Sequence, residues 1–172
     1  MKFKTFYKLF YKHRFEKSYG VHKLYLYIAF LIRFLLNIFF FPKKIDLDLL
    51  EIKSPDLYKK NINFLFEYFN SDKGEFFVDQ YLQPIKKSHK KIPAHAYSKF
   101  YEEFFFHKKE EKCNILELGS FYGNASASLF FYFKYSTIYS GDIFPDLFRY
   151  KSKRINNFFV DTSSSLLDVS IV

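Results

Sequence analysis

Glu117-Leu118-Gly119-Ser120-Phe121-Tyr122-Gly123 is the stretch of this 172-residue chain best suited to hold a small ligand. Three of the five glycines, Gly119, Gly123 and Gly141, fall where short apolar runs end. In open α/β sheets those strand ends are where ligands bind. A strand that turns tightly into a helix needs a residue tolerant of positive φ, and a second glycine lets a ligand approach the backbone. The helix that begins beyond Gly123 presents unpaired N–H groups suited to a carboxylate or phosphate. The order here is Glu-x-Gly-x-x-x-Gly, with Phe121 where the dinucleotide fingerprint has its middle glycine. That bulk argues against a pyrophosphate crossing the turn, and so against a nicotinamide-dependent oxidoreductase. Asp142 follows Gly119 by 23 residues, the spacing of an acid that accepts hydrogen bonds from ribose hydroxyls. A glycine turn plus a ribose acid, without the pyrophosphate fingerprint, favours a mononucleoside cofactor.

These residues also carry a resemblance. Ile115 to Gly123 is similar to motif I of class I S-adenosylmethionine (SAM) methyltransferases, and Tyr139-Ser140-Gly141-Asp142-Ile143-Phe144-Pro145 to their second strand. Ser71-Asp72-Lys73-Gly74, His95-Ala96-Tyr97, Tyr101-Glu102, Arg154-Ile155 and Val160-Asp161-Thr162-Ser163 follow in the order of the macrocin O-methyltransferase type, which methylates sugar hydroxyls. The resemblance spans residues 71 to about 168. It implies that Gly119, Ser120 and Gly123 hold the methionine moiety of SAM, with Glu117 ordering that loop. It implies further that Asp142 binds the ribose hydroxyls, that Asp161 and Thr162 lie near the adenine, and that Lys73 and His95 close over the cofactor. The acceptor it implies is a glycan or small-molecule hydroxyl. Taken singly, His95 also reads as a surface residue at a helix end, Glu117 as a solvated strand-end acid and Lys73 as part of a turn.

The chain departs from that family after Asp161. Complete members carry an Asp-Asp-Gly-Ser-His stretch on the fourth strand that binds a divalent metal and helps deprotonate the acceptor. Residues 162–172 hold nothing similar, only Asp168 and a short tail from Val169 to Val172, so no catalytic or metal-ligating residue is assigned. The expectation is therefore a truncated chain, inactive by itself or completed by a half-domain from another chain. A non-catalytic, membrane-associated remnant is the alternative.

The elements that would position these residues are legible in outline. Asn114 to Leu118 and Thr137 to Ser140 read as strands, with Gly141-Asp142 closing the second, and Ile155 to Val160 as a third. Ala125 to Phe133 reads as a helix between the first two. This is the start of a doubly wound α/β sheet, a partial Rossmann-like class I methyltransferase domain over residues 113–172. Residues 46–112 form a helical lead-in: Ile62 to Phe69 is a short helix ending at the turn cluster Asn70 to Gly74, and Ala94 to Lys109 an amphipathic one.

Residues 1–45 are different. They hold ten Lys/Arg against one acid, Glu16, leaving 17 of each in the remainder, so the whole net charge of +9 sits in this segment. A neutral body with a basic, aromatic-rich leader suits an anionic membrane surface better than nucleic acid. Within it, Leu24 to Phe41 is an apolar run broken by Arg33 and Asn37. Its length is the minimum for a spanning helix, and a helix on a membrane surface or packed on the protein accommodates the two polar residues better. No small-residue cleavage site follows, as a signal peptide would require. Cys113, the only cysteine, excludes an intrachain disulfide and suits the reducing cytoplasm, with the protein peripheral on the inner face of the membrane.

Overall fold

A computed structural model of the chain describes residues 2–40, 44–80, 88–162 and 168–171. Phe41 to Lys43, Ser163 and Val172, which the sequence reading touches, lie outside them. The chain divides into two compact units, Met1–Lys43 and Lys44–Val172.

The first unit is three helices: α1 (Phe3–Phe10), α2 (Lys12–Glu16) and α3 (Gly20–Phe40). Its core is aromatic, with Phe6, Tyr11, Phe15 and Phe30 buried together. Among the described residues no helix is long and apolar enough to cross a membrane. Arg33 and Asn37 interrupt α3, and an ionised side chain at bilayer depth is costly.

The second unit opens with β1 (Ile45–Asp46), α4 (Leu47–Lys53) and a 3-10 turn at Pro55–Lys59, followed by α5 (Ile62–Tyr68). Asn61 caps α5 by accepting the Phe64 N–H at 2.8 Å, which satisfies one of the otherwise orphaned first-turn donors. Next come β2 (Phe76–Phe77), β3 (Ile92–Pro93) and α6 (Ser98–Phe105), then β4 (Asn114–Leu118), α7 (Asn124–Tyr132), β5 (Thr137–Asp142), β6 (Tyr150–Lys151), β7 (Ile155–Asp161) and β8 (Asp168–Ile171). Strands β4, β5 and β7 form a parallel sheet in that order, and β8 adds to β7 in antiparallel fashion. The class is α/β.

Helix α7 lies at the centre of this unit. Every one of its nine residues is buried, and its polar side chains Asn124, Ser126 and Ser128 are hydrogen-bonded, as buried polar groups require. Phe69 beyond α5 stacks on Phe131 with ring centres 5.6 Å apart, and Ser128 donates to the Leu65 carbonyl at 3.0 Å. Residues 46–112 and 113–172 thus share one core. Arg154 terminates α7. Its guanidinium donates to the carbonyls of Phe130, Phe133 and Ser136 and to the Tyr58 hydroxyl at 2.9–3.2 Å, and it lies 3.8 Å over the Phe130 ring. A cation there satisfies the last carbonyls and the helix dipole.

The structure corrects the sequence reading at three places. The expected helix from Ala94 starts only at Ser98, because residues 94–97 donate their backbone N–H groups to the carbonyls of residues 72–75 at 2.8–2.9 Å. A doubly wound sheet implies a helix between the second and third strands as well; instead a 3-10 turn at Pro145–Leu147 and β6, paired with β1, fill the connection from β5 to β7. The tail is a strand: Asp168-Val169-Ser170-Ile171 alternates polar with apolar, the period of a half-buried strand, and pairs with Phe158 to Asp161.

Candidate functional site

The turn after β4 is stitched to the end of β5. Gly119 and Ser120 donate their N–H groups to the Gly141 carbonyl at 2.9 and 3.2 Å. The Phe121 N–H donates to Asp142 Oδ2 at 2.7 Å, and the Phe144 N–H to Asp142 Oδ1 at 2.8 Å. Gly119 and Asp142 therefore sit side by side on one rim of the sheet. Glycine is required at both ends of the turn for different reasons. Gly119 has φ +77° in open space, so only its backbone conformation excludes a side chain, whereas at Gly123, with φ +80°, a Cβ would also lie 2.4 Å from the Phe148 ring.

A cavity of about 460 Å³ opens over this turn, a volume in the range of small-molecule sites. It is lined by Asp72, Lys73 and Asp79 from the segment after α5 and by Glu117, Gly119, Phe121, Asn124 and Ala125 from the β4–α7 turn. The first turn of α7, whose amides have no partner within the helix, thus faces the cavity. The Asp72 loop is held rigidly. Asn70 brackets it, accepting the Val78 N–H at 2.7 Å and donating to the Val78 carbonyl at 2.8 Å, while Asn124 donates to the Asn70 carbonyl at 2.9 Å. The four backbone bonds between residues 72–75 and 94–97 complete the clasp.

A buried ion pair crosses the cavity. Lys73 Nζ stands 3.2 Å from Glu117 Oε1, with only 5% of the Glu117 side chain exposed. Ser126, itself 2.7 Å from the Ser140 hydroxyl, donates its hydroxyl to Glu117 Oε2. Burial by itself would lower the Lys73 pKa, but the carboxylates of Glu117 and Asp72 outweigh it and hold the ammonium above its ordinary range. Tyr101 sits in the same field. Burial raises its phenol, the Lys73 charge lowers it and Glu117 raises it further, for a net upward shift.

Of the residues expected from sequence, Lys73, Glu117, Gly119 and Ser120 line the cavity. Gly123 caps α7 beneath it. Asp142, 8% exposed, is off the cavity wall, its carboxylate bracing the turn through the Phe121 amide and its own strand end through the Phe144 amide. His95 is also off the wall: its ring is 60% exposed, stacked on Tyr97, with Nε2 3.7 Å from Asp72 Oδ2. Asp161 lies on the same rim as Asp142, two residues past the Phe159 that pairs with it, and Thr162 is exposed. Sequence reasoning missed Asp72, Asn70 and Asn124. Asn70 and Asp72 lay in a recognised turn cluster, but nothing in the spacing marked Asn124 as the link between that cluster and α7.

The cavity wall places one cation among carboxylates beside the amides of a helix start. Such a wall can pair with a ligand that carries both a carboxylate and an ammonium group. Among the described residues no group of three or more His, Cys, Asp and Glu side chains is placed to hold a metal ion. No protein-family model, curated protein or solved structure matches this chain.

Proposed function

We propose that the second unit binds SAM at the β4–α7 turn and belongs to the sugar O-methyltransferase type of class I methyltransferase, with a glycan or small-molecule hydroxyl as acceptor. One observation carries the reading: the glycine turn, bonded through Phe121 to the carboxylate of the neighbouring strand, faces a cavity whose wall holds the Lys73–Glu117 pair. In this reading Lys73 and the first turn of α7 receive the cofactor carboxylate, and Glu117 and Asp72 the ammonium. Gly119, Ser120 and Gly123 let the backbone approach the methionine chain. Asp142 has spare acceptor lone pairs for the ribose hydroxyls, and Asp161 and Thr162 extend that rim towards the adenine. The cofactor supplies an electrophilic methyl group; this chain's residues bind and orient it.

Titration calorimetry of the full chain with S-adenosylhomocysteine is the test. Saturable heat at one site per chain is expected, with Lys73→Met reducing affinity at least about tenfold, the scale of a lost charge-assisted hydrogen bond. Absence of saturable heat sinks the proposal. NADH titrated in the same way should give none, since Phe121 lines the cavity where a pyrophosphate would need to pass.

A second reading, a binding module without turnover, has its own support. Leu116 and Leu118 alternate away from Ile115 and Glu117, and they are 62% and 52% exposed on the sheet face opposite α7. Such bare apolar surface marks an interaction site. Cofactor binding without methyl transfer to any hydroxyl acceptor would favour this reading.

A further inference from the structure

The amino-terminal unit carries an apolar face that none of its own helices covers. On one side of α3, Leu26 and Phe30 are buried, with the Phe30 ring centre 5.0 Å from those of both Phe3 and Tyr11. On the other side Leu24, Tyr25, Ile28, Leu31, Ile32 and Leu35 fall within an arc of about 120° at helical periodicity. Each is at least half exposed. No charge interrupts the arc, because Lys23 and Arg33 project from the Leu26 and Phe30 side of the helix.

The surroundings of that face are basic. Residues 1–43 hold nine Lys/Arg and a single acid, Glu16, and Lys4, Lys8, Lys12 and Arg14 on α1 and α2 are all exposed. A second copy seated on this face would bring two strongly cationic units together, which argues against self-association. An anionic bilayer satisfies both features. Packed helices lie about 8–10 Å apart, and interfacial helices sink about 5–10 Å into the headgroup boundary. With α3 at that depth, the bases of α1 and α2 stand within about one Debye length of the lipid phosphates.

We infer that α3 docks its Leu24-to-Leu35 face into the surface of an anionic membrane, lying in the plane of the interface, with α1 and α2 above it as the electrostatic layer. Flotation of the full chain with vesicles of phosphatidylcholine, with and without phosphatidylglycerol, tests this. Partition onto the anionic vesicles is expected to be at least about tenfold stronger, and to fall steeply between about 0.1 M and about 1 M salt. Ile28→Glu combined with Leu31→Glu should lower it at least about tenfold while leaving the far-ultraviolet circular dichroism unchanged, since both positions are exposed. Lys4→Gln combined with Lys8→Gln provides a second variant, which should weaken only the preference for anionic lipid. Equal partition onto the two vesicle types overturns the inference, as does a double-Glu variant that binds like the parent chain. A lipid-free dimer in sedimentation velocity that the double-Glu variant dissolves would assign the face to self-association instead.

Discussion

Helix α7 is buried at all nine positions, whereas along α3 large apolar side chains alternate between a packed stripe and a bare one. The sequence of α3 is the richer of the two in large apolar residues, yet it is the more exposed, so composition does not decide burial. What differs is the supply of neighbours. Around α7 the sheet, the α5 segment and the Arg154 clamp close every direction, and its serines fit because each finds a partner. Around α3 only two short helices are available within its unit, and they cover one side. A ligand cavity needs the rigid surroundings of α7; a surface that meets a soft partner can be built on α3.

Five substitutions probe that contrast, in descending order of expected effect. Phe131→Ala empties the middle of the α7 core and should cost about 3–5 kcal/mol in urea unfolding of the full chain. A loss under about 1 kcal/mol would mean that α7 is not the structural centre. Lys73→Met leaves Glu117 buried without its cation, at about 3 kcal/mol or somewhat more. Its pH signature is the sharper measurement. Because the folded Lys73 pKa is raised above its ordinary value of 10.5, the stabilisation is complete below that value and is lost as pH rises through the folded one. The parent chain should therefore lose more stability than Lys73→Met on alkaline titration, and equal losses would show that the pair is not coupled to folding.

Gly123→Ala drives a methyl group into the Phe148 ring at a left-handed position. About 2–3 kcal/mol of destabilisation is expected, together with weaker S-adenosylhomocysteine binding in calorimetry. Gly119→Ala, strained but unobstructed, should cost only about 1 kcal/mol. The smallest effect belongs to Leu31→Ala on the bare side of α3, which should shift the unfolding midpoint by less than about 0.5 kcal/mol. A cost similar to that of Phe131→Ala would show the face to be covered in solution.

Local signals were sufficient where neighbouring residues alone decide the structure. The run Asn114 to Leu118, the glycines flanking the turn and the 23-residue spacing to Asp142 were readable because a parallel strand end, a tight turn and a helix start each demand particular residue types. The His95 segment was misread as helix. Ala94 to Tyr97 has a helical pattern, but its backbone donors are taken by residues some 22 positions earlier in the chain. Arg154 entered the sequence reading through the resemblance and is a helix clamp in the structure, since its four acceptors come together only in the fold.

The amino-acid order alone determined that a glycine turn would join a strand to a helix, that an acid would end the next strand, and that the positive charge would gather in the first 45 residues. Those are properties of short stretches and of composition. Only the tertiary structure decided that Lys73 faces Glu117 across 44 residues of chain, that Asp142 braces the turn through the Phe121 amide, and which side of α3 stays bare. The first two depend on groups distant in sequence meeting at hydrogen-bond range and the third on aromatic packing against α1 and α2; chain folding in three dimensions, not local preference, brings such groups together.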